Sequence, residues 1–69
     1  MNMRNLLNEL SFAEKLAFAE RAGTQYFYLF QIAGGQRSPS PKLCRRLVAA
    51  DPRLTVGELR PDIWPADGA

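Results

Sequence analysis

LAFAERAGTQYFYLFQI, residues 16–32, reads as two short helices that meet at a tight turn. Helices that cross closely need a small residue at the contact, because a longer side chain holds the axes apart. Ala19 is that residue. The turn four residues on needs a backbone that reaches positive φ, and Gly23 reaches it without steric cost. The helix that follows needs apolar residues three apart to seat on the same core, and Leu29 and Ile32 have that spacing. Any one of these positions is weak alone. The four together, at these separations, predict a helix-turn-helix.

Upstream, Met3, Leu6, Leu7 and Leu10 fall at i, i+3, i+4 and i+7, one face of a first helix. Ser11 and Glu14 form a capping-box pattern, so a second helix is expected to start at Phe12 and run through Leu16 and Ala19 to about Ala22. Thr24 is the expected N-cap of a third helix, Gln25 to Ala33, which Gly34-Gly35 ends. After the loop Gln36-Arg37-Ser38-Pro39, the pair Ser40-Pro41 reads as an N-cap followed by proline at the first helical position. The fourth helix turns Leu43, Cys44, Leu47 and Val48 inward and leaves Lys42, Arg45 and Arg46 more exposed, and Asp51-Pro52 closes it.

Thr55-Val56-Gly57-Glu58 repeats the capping-box pattern and predicts a short fifth helix ending near Leu59. Arg60 and Asp62 are expected to bond locally around Pro61. Ile63 and Trp64 are expected to dock the tail onto the body, with residues 66–69 frayed. Leu6, Leu10, Leu16, Leu43 and Leu47 are assigned to the core, and Tyr28 partly so. No stretch reads as a strand, a repeat or a low-complexity tract. The expectation is an all-α, compact bundle of about five short helices, forming one domain over residues 1–65.

A chain of 69 residues, 46% apolar, suits one domain with a modest core. Its single cysteine, Cys44, and its lack of histidine predict no internal disulfide, a reducing compartment and no metal site. Cys44 reads as a small apolar residue on a helix. MNMRNLLNEL spaces its apolar residues and has no small-residue cleavage site, so it does not read as a signal peptide. The longest apolar run, Tyr26–Ala33, is too short to span a bilayer, and the expected location is cytoplasmic. Catalysis is not expected, and neither is a cofactor. Cys44 has no basic partner nearby in sequence, caps and turns account for Ser11, Ser38 and Ser40, and Gly34-Gly35 does not follow a strand as a phosphate loop would.

The net charge of +2 is unevenly spread. Residues 1–20 carry −1 and residues 51–69 carry −2, whereas residues 21–50 carry Arg21, Arg37, Lys42, Arg45 and Arg46 with no acid. A polyanion is drawn to that middle segment. Arg45 and Arg46 fit either a solvated helix face or phosphate contact.

With ~100° of rotation per residue, Leu29 and Ile32 point inward and Phe27, Phe30 and Gln31 outward. Gln25 and Tyr26 lie at the N-terminal end, the end that enters the major groove in this motif. Glutamine pairs with adenine through two hydrogen bonds, and aromatic rings pack on the thymine methyl. The base-facing candidates are therefore Gln25, Tyr26, Phe27, Phe30 and Gln31. The candidates for the DNA backbone are Lys15, Thr24, Gln36, Arg37 and Ser38.

The stretch from Phe18 to Pro41, with AERAGTQYFYLFQIAGGQRSPSP inside it, resembles the Cro/lambda-repressor-like helix-turn-helix superfamily. The ending from Leu54 to Trp64, LTVGELRPDIW, is similar to the tail of the YdaS-like group of antitoxins and Cro-like phage repressors. The resemblance implies an all-α fold of about five helices, operator DNA in the major groove and dimeric binding by a prophage-type regulator. The family's base-reading positions match Gln25, Tyr26, Phe27, Phe30 and Gln31. At those positions relatives usually carry serine, proline, arginine or other polar residues, and here Tyr26, Phe27 and Phe30 stand instead. Two readings follow. The first is a duplex-DNA-binding regulator, a homodimer on a palindromic operator. The second is an antitoxin-like interaction module whose aromatic third helix binds a protein partner such as a toxin.

Overall fold

The computed structural model describes residues 1–64, and the expected fraying of residues 66–69 lies outside them. Five helices follow in order: α1 (Met3–Glu9), α2 (Phe12–Ala22), α3 (Tyr26–Ala33), α4 (Pro41–Ala50) and α5 (Val56–Leu59). No strand occurs among the described residues. The all-α architecture predicted from the sequence is therefore the one observed.

Short polar residues start the helices. Asn2 accepts from the Asn5 amide at 2.8 Å ahead of α1. Before α2, the Ser11 hydroxyl accepts from the Glu14 amide at 3.2 Å while Glu14 accepts from the Ser11 amide at 2.8 Å. The capping box is thus complete, and these bonds from Ser11 hold the Glu14 carboxyl below its ordinary pKa. Ser40 caps α4 ahead of Pro41 by accepting from the Leu43 amide. At α5 only half the expected box forms. The Thr55 hydroxyl accepts from the Glu58 amide, but the Glu58 carboxylate turns to that hydroxyl and to the N-terminal amine, each at 2.8 Å.

Gly23 and Gly35 end α2 and α3 with φ of 70° and 79°. At Gly23 the glycine amide donates to the Glu20 carbonyl and the Thr24 amide to the Ala19 carbonyl, both at 3.0 Å. This pairing closes the helix and points the chain away from it. One sequence expectation is corrected at this turn. The Tyr28 amide donates to the Gln25 carbonyl at 3.1 Å, so α3 starts one residue later than expected, at Tyr26. Gln25 takes the N-cap position and makes no side-chain cap. Thr24 is thus in the turn rather than the cap.

The core joins Met3, Leu6 and Leu7 of α1, Phe18, Ala19 and Ala22 of α2, Leu29 of α3, and Leu43 and Leu47 of α4, with Leu54 beneath α5. Ala19 is buried where the small residue was required. Leu10, Tyr28, Ile32 and Val48 pack against this cluster from its margin. Leu16, assigned to the core from the sequence, is 43% exposed. It precedes Phe18 by two residues, ~200° of helix rotation, so the face that buries Phe18 leaves Leu16 outside.

The tail is held by polar contacts more than by the expected apolar ones. Arg60 binds Asp62 through two hydrogen bonds, at 2.9 and 2.7 Å, and its Nη1 donates to the Pro39 carbonyl at 2.9 Å. The Arg45 guanidinium lies over the Trp64 ring, 5.9 Å from its centre. Ile63 remains exposed, so of the two residues expected to dock the tail only Trp64 does so.

Asp51 is a charged residue buried in the fold. Its carboxylate accepts from the Arg53 amide at 3.1 Å, Nε at 3.0 Å and Nη2 at 2.8 Å, bracing the chain between α4 and α5. The Arg53 side chain holds the carboxyl below its ordinary pKa of 3.8. A depressed folded pKa gives stability that is present above the ordinary value and is lost as pH falls through the folded one. Glu58 and Asp62 are lowered as well and act in the same direction. The thermal midpoint is therefore expected to fall as the solution is taken below pH 3.8. Asp51→Ala is expected to cost about 1–3 kcal/mol at neutral pH and to flatten that acid dependence. Thermal melts of both proteins across the acid range check this.

Candidate nucleic-acid interface

α2 and α3 are joined by Gly23, Thr24 and Gln25, a three-residue turn. Leu29 is fully buried against the body and Ile32 partly, which fixes the roll of α3 and turns its opposite side outward. On that side Phe27 is 76% and Phe30 39% exposed, Gln25 is exposed, and Tyr26 and Gln31 are half-buried.

The Tyr26 ring is the hub of an aromatic cluster. It makes edge-to-face contacts with Phe12 at 5.3 Å, Phe27 at 5.5 Å and Phe30 at 5.0 Å. Phe12 comes from the first position of α2 and is 64% exposed. The Lys15 ammonium sits over the Phe30 ring, 5.6 Å from its centre. The first half of α2 and the outward side of α3 from Tyr26 to Phe30 therefore present one surface.

Of the candidates from the sequence, Lys15, Gln25, Tyr26, Phe27 and Phe30 meet at this surface or border it, and Thr24 lies in the turn beside it. Gln36, Arg37 and Ser38 lie past the C-terminal end of α3. Arg37 and Ser38 line an open cleft of about 320 Å³ together with Asn2 and Arg4 at the start of α1 and Glu58 and Leu59 of α5. The structure thus separates the backbone candidates into two groups, one at each end of α3.

Two side chains join the site that the sequence reading did not place there. Phe12 reads from sequence only as the residue after a cap. Arg46, distant in sequence, reaches the turn itself: its Nε donates to the Ala22 carbonyl at 3.0 Å, and its guanidinium passes beside Gly23. That carbonyl is among those a helix end leaves without an intrahelical partner.

Ion pairing sorts the charge. Arg53 pairs with Asp51 and Glu9, Arg60 with Asp62, and the N-terminal amine with Glu58. Arg4, Lys15, Arg21, Arg37, Lys42, Arg45 and Arg46 have no carboxylate partner among the described residues. The acids near α5 are largely neutralised internally, while the cations of the basic middle segment face outward. Cys44 takes no part: it is buried, and burial pushes its thiol pKa up. No group of three or more metal-ligating side chains occurs among the described residues, and no described helix is long and apolar enough to cross a membrane.

No family model, curated protein or solved structure matches the chain.

Proposed function

We propose that the chain is a duplex-DNA-binding transcriptional regulator of the Cro or repressor type, acting in the cytoplasm. In this reading α3 enters the major groove by its N-terminal end, with Gln25, Tyr26, Phe27, Phe30 and Gln31 toward the bases. Lys15 and Thr24 contact phosphate on one side of the groove, and Gln36, Arg37 and Ser38 contact it beyond the far end of α3. The observation that carries the reading is the outward side of α3, where Phe27 and Phe30 are exposed, set behind a three-residue turn and flanked by cations without carboxylate partners. The resemblance of the sequence to the Cro-like superfamily supports it.

The longest dimension of the chain is 32 Å, close to the ~34 Å of one turn of B-DNA. One copy covers one half-site, so the reading calls for two copies on a palindromic operator. After selection of a cognate duplex, Gln25→Ala is expected to weaken binding to it by about 1–3 kcal/mol and to leave random duplexes nearly unaffected. Fluorescence anisotropy on both duplexes checks this. Equal losses on the two would remove Gln25 from base reading.

A second reading draws on the exposure of Phe12 and Phe27, which also suits an antitoxin-like contact with a protein partner. It predicts capture of that partner by the wild type and not by Phe30→Ala, with DNA affinity unaltered.

A further inference from the structure

The outward side of α3 lacks the groups that read most base edges. From Ala22 to Gln36 the chain has no lysine, arginine, aspartate or glutamate. Arginine or lysine on guanine O6 and N7 is the commonest specific major-groove contact, and carboxylates accept from cytosine N4. This helix offers neither. What it presents is ring surface, from Phe27 and Phe30 with Tyr26 between them and Phe12 at the edge.

Those rings are fixed by one another. Three edge-to-face contacts converge on Tyr26, so an apolar group meets a preformed surface and little rotamer freedom is lost on binding. Cations border this surface on two sides: the Lys15 ammonium lies over the Phe30 ring, leaving Phe27 the most open ring, and Arg46 sits at the turn. The complementary partner has an apolar centre between two rows of negative charge. Among the base edges of the major groove, the thymine C5 methyl is the apolar feature, and the phosphates run along both rims.

We infer that the ring cluster of Phe12, Tyr26, Phe27 and Phe30 reads thymine methyl groups, which makes the protein select A·T-rich half-sites. This rests on the DNA-binding reading above and specifies what its recognition helix recognises. Gln25, beside the cluster, adds a donor and an acceptor suited to adenine, the partner of thymine in the same base pair.

Uracil substitution isolates the methyl. A short A·T-rich duplex is compared with the same duplex carrying deoxyuridine at every thymidine, which keeps the pairing and the phosphate charge and removes only C5 methyl groups. A G·C-rich duplex is compared with its 5-methylcytosine form, which adds a methyl at the equivalent ring position. Affinity is expected to drop about fourfold for each methyl contacted on going to uracil, and to rise on methylation of cytosine. Phe27→Ala, a change at an exposed position, is expected to discriminate between the thymine and uracil duplexes less than the wild type does while keeping its salt dependence. Equal wild-type affinity for the thymine and uracil duplexes, with binding intact, overturns the methyl-reading inference and leaves the DNA-binding reading standing. Absence of binding to every duplex at low salt overturns both. Sedimentation showing self-association that Phe27→Ser abolishes would then assign the rings to a second copy of the chain.

Discussion

Phe18→Ala is expected to remove about 3–5 kcal/mol of the domain's stability, the largest loss from any single core truncation. Phe18 has no exposed surface and is the largest fully buried side chain of the core. Truncating a buried phenylalanine costs about 3–5 kcal/mol, because the lost transfer energy adds to that of the cavity left behind. At about 0.05–0.15 kcal/mol per residue, a chain this short has roughly 3–10 kcal/mol in total. A single substitution thus removes a large share of the margin. Phe18 also lies one residue from Ala19, which seats α2 in the helix-turn-helix, so a collapse at this point displaces the contact that orients α3. Far-UV circular dichroism and a urea titration read the result. A variant that keeps a cooperative transition, displaced by less than ~1 kcal/mol, would show that Phe18 is not at the centre of a packed core.

The second large effect is the dependence of DNA binding on salt. Lys15, Arg37 and Arg46 have no carboxylate partners among the described residues. If these three meet phosphates, the logarithm of the binding constant falls with the logarithm of salt at a slope of about −2.7. Raising salt from about 50 to about 200 mM then weakens binding by about 40-fold per copy. Arg37 is the cleanest single probe, since its guanidinium makes no hydrogen bond among the described residues, whereas that of Arg46 also supports the end of α2. Arg37→Ala is expected to reduce the slope by about one on cognate and random duplexes alike. An affinity that ignores salt would show that binding does not depend on these cations.

Much of this fold was legible because its decisive signals are local. A capping serine with a glutamate three residues on, or a glycine at positive φ, acts within one turn of chain, and the boundaries of α2 and α4 follow from such signals. Thr24 misled because threonine is a good N-cap, whereas the turn that closes α2 extends one residue further and leaves Gln25 at the cap position. Leu16 misled because leucine is apolar wherever it stands, and only the roll of α2 around Phe18 decides which leucines are covered. The site was less legible than the fold. Phe12 joins it through a ring contact between two helices and Arg46 through a bond spanning 24 residues, and neither leaves a pattern in the neighbouring sequence. Arg37 and Ser38 follow α3 in sequence, yet they meet Asn2 and Arg4 at the start of α1 and Glu58 and Leu59 of α5, a convergence of distant segments that no local pattern marks.

The most direct test of the central claim, that the α2–turn–α3 surface binds duplex DNA, is an amide NMR titration with a short generic duplex at low salt. Non-specific binding is electrostatic and needs no knowledge of the operator. The account predicts fast-exchange shifts concentrated at residues 12–16 and 24–31, with a second group at residues 36–38, all reversed by added salt. Unchanged amides at low salt, or shifts confined to α5 and the tail, would contradict it.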